Sequence, residues 1–171
     1  GDTIYVSAGT YNENVVIDKG ITLQGQVGAI IAPVTGSGIQ IEVSPELTPV
    51  TVDGFTITPQ GSALDSAQGI VIGSVVSPVA THNITISNNT ITTLGQNMGI
   101  LVRGVGSNGP GYPNSSDLTV THNTITLSGD STAFYASWVT PAHSNWNITY
   151  NTFDSPIGVN LQLHDVDGVT V

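Results

Sequence analysis

Short stretches of this chain alternate apolar residues with Thr or Ser at intervals of two, and the stretches repeat one another. "ITISNNTIT" from Ile84 returns as "LTVTHNTIT" from Leu118, 34 residues later. The same pattern runs through "ITLQGQ" from Ile21, "VTVDGFTIT" from Val50, "WNITYNTFD" from Trp146 and "VTV" from Val169, with successive steps of 29, 34, 34, 28 and 23 residues. A period of two with Ile, Val and Thr enriched predicts strands that turn one face inward. Ile84, Ile86 and Ile91 then share columns with Leu118, Val120 and Ile125, and with Trp146, Ile148 and Phe153.

A second segment recurs inside each unit: "GIQIEV" from Gly38, "GIVIGS" from Gly69, "GILVRG" from Gly99, "AFYASW" from Ala133 and "GVNLQL" from Gly158. Two segments in constant order with variable spacers describe the coils of a solenoid, in which each coil buries its apolar face only against its neighbours. No apolar stripe of period 3.6 persists for three turns, so no helix is expected. Equivalent strands of successive coils are expected to pair in parallel, about 4.8 Å apart. The expected fold is all-β: a single-stranded parallel β-helix of about five to six coils, without a capping helix, forming one domain over residues 1–171.

Asn89, Asn123 and Asn151 fall in one column, at the bend inside the first segment. Asn tolerates the left-handed backbone that a sharp turn needs, and stacked amides bond to the coils above and below. The expectation is a structural corner in which these three residues carry the left-handed turn.

These residues resemble the right-handed parallel β-helix family that includes pectate lyases, polygalacturonases and pectin methylesterases. The opening "GDTIYVSAGTYNENVVIDKGITLQG" looks like a first coil of that family, and the "NNTI" and "HNTI" corners look like its internal repeat. The resemblance covers essentially the whole chain and implies the fold. It does not imply one activity, because the architecture hosts lyases, hydrolases, esterases, adhesins and stalks.

The catalytic parts of the family are not legible here. Lyase chemistry would need Arg103, the sole arginine, as base, and its expected outward column reads Glu42, Gly73, Arg103, Ser137, Gln162, with no Asp cluster. Glycoside hydrolysis needs two carboxyls about 5 to 9 Å apart. Asp53 is followed in its column by Ser87, Thr121 and Thr149, and Asp154 stands in a column with Thr58, Thr92 and Thr126. The "NTD", "DD" and "GHG" motifs of the polygalacturonases are missing, as are the "QDT" and "DFIFG" stretches of the methylesterases.

Weaker signals remain. "GVGSNG" from Gly104 matches a dinucleotide fingerprint, but "PGYP" follows where a helix must begin. Asp165 and Asp167 in "HDVDG" have a spacing that suits a shared calcium ion, the one cofactor the chain suggests. His82, His122, His143 and His164 share no column. Val71, Leu101 and Tyr135 point outward in the second segment and form an apolar stripe, covered either by the chain's own loops or by a partner. Tyr112, Tyr135 and Trp138 would alternatively make a sugar-stacking platform for a polysaccharide.

Charge narrows the partners. Lys19 and Arg103 are the only Lys and Arg residues against 12 carboxylates, for a net charge of -10. Nucleic acid is a poor fit, since backbone binding needs clustered cations. No apolar run approaches the roughly 20 residues of a membrane-spanning helix, and with 39% hydrophobic residues the chain supports a core. There is no cysteine, while sequons at Asn83, Asn88, Asn114 and Asn147 suggest glycosylation and an extracellular or cell-surface location. The two ends carry no capping signal, so the chain is expected to be either a fragment of a longer β-helix or a subunit that self-associates end to end. The reading is an extracellular, non-catalytic structural or surface module. The alternative is a polysaccharide-binding or polysaccharide-processing β-helix whose catalytic residues lie outside this chain.

Overall fold

The computed structural model describes residues 1–42, 49–61, 67–73, 80–103, 115–137 and 142–171. The alternating segments form three parallel sheets that the chain visits in turn. The first sheet stacks β1 (Asp2–Val6), β4 (Ile21–Gly25), β7 (Val50–Asp53), β10 (Thr81–Ser87), β13 (Ser115–Thr121), β16 (His143–Thr149) and β19 (Val166–Thr170). The second stacks β2 (Gly9–Tyr11), β5 (Ala29–Ile31), β8 (Thr56–Ile57), β11 (Thr90–Thr93), β14 (Thr124–Leu127) and β17 (Thr152–Asp154). The third stacks β3 (Val15–Ile17), β6 (Ile39–Ile41), β9 (Ile70–Ile72), β12 (Ile100–Val102), β15 (Thr132–Ala136) and β18 (Val159–Leu163). Three strands per coil, always in the same order, make a parallel β-helix of six coils, followed by β19; no helix occurs among the described residues.

The columns expected from the repeat are the observed register. Ile84 lies opposite Val50 and Leu118, Ile86 opposite Val52 and Val120, Val120 opposite Ile148, and Trp146 opposite Val169. Ile91 lies opposite Ile57 and Ile125, which lies opposite Phe153. All of these but Val169 join one continuous core inside the three sheets, with Phe153 packed at its margin. The glycines that open the third-sheet segments are required by close approach. A Cβ on Gly69 would collide with Ile91 and with the Gly99 carbonyl, and one on Gly99 with Ile125 and the Ala133 carbonyl.

Two details of the register differ from expectation. The left-handed residue at the corner is the one before the asparagine column: Gly54, Asn88, His122 and Tyr150 have φ of 81°, 54°, 56° and 58°. Asn89, Asn123 and Asn151 instead turn their amides into the corner. In "NNTI" both positions are Asn, so that copy alone does not separate the turning residue from the stacking one. In the last coil, Phe134 pairs with Leu161 and Tyr135 with Gln162, two residues beyond the expected alignment with "GVNLQL". A two-residue slip leaves every side chain on the same face, so alternation does not detect it.

The asparagines form a ladder. Asn89 Oδ1 accepts from the Phe55 N–H at 2.9 Å, Asn123 Oδ1 from the Asn89 N–H at 3.0 Å, and Asn151 Oδ1 from the Asn123 N–H at 2.9 Å. Each Nδ2 reaches a carbonyl of the coil before: Asn89 to Val52, Asn123 to Ile86 and Asn151 to Val120, at 3.1, 2.9 and 2.8 Å. Main-chain groups that the corner takes out of the sheets are satisfied in this way, as buried polar groups must be.

Candidate functional site

A second file of left-handed residues crosses the first sheet. Asn83, Asp117, Asn145 and Gly168 have φ of 50°, 53°, 58° and 67°, one residue before inward Ile84, Leu118, Trp146 and Val169. Asn, Asp and Gly are the residues that accept this conformation most readily. The bend they impose opens a trough of about 320 Å³ on the outer surface, lined by Pro49, Asn83, Thr85, Asp117, Thr119, Asn145 and Asn147.

Asn145 Nδ2 donates to Asp117 Oδ1 at 2.5 Å, and Ser116 Oγ donates to Asp117 Oδ2 at 3.1 Å. Ser116 Oγ also contacts His82 Nδ1. Among the described residues, the lining offers amides and hydroxyls around the Asp117 carboxylate. It supplies both donors and acceptors for a polyhydroxylated ligand.

Two of the four sequon asparagines, Asn83 and Asn147, are exposed and line this trough. Asn88 is exposed but donates to Asp53 Oδ1 at 2.7 Å. Asn114 lies outside the described residues, as do Tyr112, Trp138 and "GVGSNG". Thr119 is an outward residue of the repeat, and Asp117 and Asn145 belong to no motif of the sequence. Their only signal is that Asn, Asp, Asn and Gly recur one place before an inward residue.

The other sequence candidates are dispersed. Asp53 Oδ1 also accepts from Ser87 Oγ at 2.7 Å, and Asp53 Oδ2 from Gln24 Nε2 at 3.4 Å, so this carboxylate ties three coils together. Asp165 and Asp167 are both exposed. The Asp165 carbonyl accepts from the His143 N–H at 2.7 Å, and Asp167 pairs with Ser144. No group of three or more His, Asp or Glu placed to hold a metal ion occurs among the described residues.

Val71 and Leu101 do not form an open stripe. They are 1% and 5% exposed within the single chain, so atoms of the same protein already cover them. Half-buried Tyr135 lies edge-on to the His164 ring at 5.7 Å. Alternation placed these residues outward correctly, but it carries no information about what lies over the sheet.

His143 is fully buried and holds two coils together. Its Nδ1 accepts from the Ser115 N–H at 2.9 Å and its Nε2 donates to the Ser137 carbonyl at 3.1 Å. Burial pushes the imidazole below the usual histidine range, against smaller opposing pulls that include the Ser137 carbonyl and the Asp165 carboxylate. Trp146 packs on it, with ring centroids 4.7 Å apart, and donates Nε1–H to the Ser115 carbonyl at 3.0 Å.

Both edges of the solenoid expose core-column residues. Ile4, which pairs with Leu23, is 45% exposed, and Val169, which pairs with Trp146, is 37% exposed. An apolar cavity of about 200 Å³, lined by Val6, Tyr11, Val15, Leu23, Ile31 and Phe55 with Glu13, lies at the β1 edge. No described helix is long and apolar enough to cross a membrane.

The three stacked parallel sheets define the molecule as a parallel β-helix solenoid. Comparison of the chain with family models, with characterised proteins and with solved structures finds no match.

Proposed function

We propose that this chain is a non-catalytic structural module of the right-handed, pectin-lyase-like β-helix type, working outside the cell or at its surface and associating through its open coil edges. The observation that carries the reading is the parallel register that runs through every coil in all three sheets, a repeat to which a further coil adds by the same contacts. A parallel strand edge with an apolar column behind it is completed by another coil through main-chain hydrogen bonds. A second copy stacked head to tail is a heterologous contact that does not close, and so propagates. The sequons support the extracellular location.

One residue tunes this association. Asp2 holds the register position of inward Ile21, so a copy continuing from Val169 in unbroken register would set a carboxylate over that valine. Burying it unpaired is costly. Light scattering is expected to show a mass that rises with concentration, and more steeply for Asp2→Val. Monomers throughout for both proteins would overturn the reading. So would sugar release from any polysaccharide that disappears in Arg103→Ala or Asp154→Asn.

A second reading is favoured by the trough: binding of a neutral polysaccharide, whose hydroxyls suit the amides of Asn83, Asn145 and Asn147 and the carboxylate of Asp117. Titration calorimetry against soluble neutral glycans should then show binding that Asp117→Ala weakens at least tenfold. Equal heats for both proteins would remove this reading.

A further inference from the structure

Arginine is rarely left unpaired inside a protein, because its charge is costly to desolvate and its five N–H donors need acceptors. Arg103 is the only arginine of this chain, against 12 carboxylates. It follows inward Val102 and so faces outward from the third sheet, where it is half-buried. Its Nε is buried and has no hydrogen-bond partner. Among the described residues, no hydroxyl, carbonyl or carboxylate bonds to the rest of the guanidinium either. A buried donor without an acceptor marks a place that another group completes.

The surroundings narrow what that group is. Arg103 donates its backbone N–H to the Ile72 carbonyl at 2.8 Å, and Ser137 donates its own to the Val102 carbonyl at 3.0 Å, so Gly73, Arg103 and Ser137 stand in one file across three coils. Gly73 puts no side chain beside the arginine, where a Cβ would lie 3.5 Å from that of Arg103. On the other flank, the half-buried Ser137 hydroxyl makes no hydrogen bond among the described residues. The two-residue slip in the last coil then sets His164, rather than Gln162, after Ser137 in the file. Glu42, the carboxylate of this file, lies two coils before Arg103 and accepts from Gln40. Val71 and Leu101, two places back along their strands, give the file a dry apolar wall. A cation held against apolar surface attracts an anion more strongly than the same cation in water.

We propose that Arg103 and Ser137 bind an oxyanion, a phosphate or sulfate group. The planar guanidinium offers parallel N–H donors to two oxygens of such a group. A tetrahedral group has a third oxygen for the Ser137 hydroxyl, which a carboxylate with both oxygens on the fork does not. Because Arg103 as a whole is only half-buried, a ligand reaches it from solution. The net charge of -10 repels anions at long range, but that repulsion is screened within about 8 Å at physiological salt, so contact decides. The site stands apart from the coil edges and from the trough on the first sheet.

With a single arginine, one Nε–H signal in a nitrogen-correlated NMR spectrum of the intact chain reads the site directly. Titration with inorganic phosphate at constant ionic strength should move that signal and the Ser137 amide along one saturable curve, and chloride should move neither. Arg103→Lys keeps the charge and loses the fork, so binding followed through the Ser137 amide should weaken at least tenfold. Ser137→Ala should weaken it about threefold, and Lys19→Met, which removes the other cation, should leave it unchanged, with circular dichroism confirming the fold of all three. Phenyl phosphate binding more tightly than inorganic phosphate would assign the site to a phosphoryl group on a larger ligand, and the reverse order to the free ion. An Nε–H signal that phosphate and sulfate leave in place, or that chloride moves equally, would overturn the proposal. So would an unchanged affinity in Arg103→Lys.

Discussion

The middle coils and the terminal coils are written in the same pattern, yet they sit in different surroundings. Ile84, Ile86, Leu118 and Val120 have a coil on either side and are completely buried, while Ile4 and Val169, in the same inward columns, are partly open to water. Burial in this architecture is supplied by neighbours rather than by the segment itself. The same inward position therefore contributes more in the centre than at an edge, and stability should fall from β10 and β13 toward β1 and β19.

The largest break of this comparison is a charge in the core. Ile86→Asp should leave the chain unfolded by circular dichroism, because an unpaired buried carboxylate costs several kcal/mol or more. Ile4→Asp, at a position already reached by water, should fold with a nearly unchanged melting temperature. If both unfold, the edge is as structured as the centre and the comparison fails.

The asparagine ladder gives a smaller, graded effect. Asn123 has a ladder partner on each side, so Asn123→Ala deletes its own amide bonds and leaves the Asn89 N–H without its acceptor. The expected loss in urea unfolding is about 3 kcal/mol, from roughly 1 kcal/mol for each bond plus the stranded donor. Asn151→Ala also strands a donor, the Asn123 N–H, but at the half-buried end of the ladder, so its loss should be smaller, about 2 kcal/mol. Equal losses at the two sites would mean that the ladder does not act as a chain of contacts.

Acid should act at one coil junction. The folded His143 imidazole is held neutral by burial, and its Nδ1 bond to the Ser115 N–H exists only while that nitrogen is unprotonated. With the folded pKa below the unfolded 6.5, the unfolded chain binds the extra proton. This contribution is therefore full above pH 6.5 and is lost as pH falls through the lowered folded value. Urea midpoints should drop between pH 7.5 and 5.5, and His143→Phe should flatten that slope. An unchanged slope would place the acid sensitivity elsewhere.

What could be read from the sequence follows from what alternation encodes. The inward columns were legible because Ile, Val and Leu recur every second place in two segments of constant order, which fixes face and neighbour together even where the spacers differ in length. The corner was legible as a column but assigned one residue late, since Asn88 and Asn89 are chemically alike and only Gly54, His122 and Tyr150 reveal which position turns. The covering of Val71 and Leu101 was not legible, because facing outward from a sheet is different from facing water. The trough was missed for a related reason. Asn83, Asp117 and Asn145 stand 34 and 28 residues apart, in columns that look like ordinary outward polar positions until the backbone bends there.

Amide hydrogen exchange followed residue by residue in dilute solution tests the central claim most directly, that each coil is stabilised by the coils beside it. The amides of β10 and β13, including those of Ile86 and Val120, should exchange slowest, with protection falling stepwise through β7 and β16 to near-free exchange in β1 and β19. Uniform protection from end to end, or central amides exchanging as fast as those of β1, would contradict it.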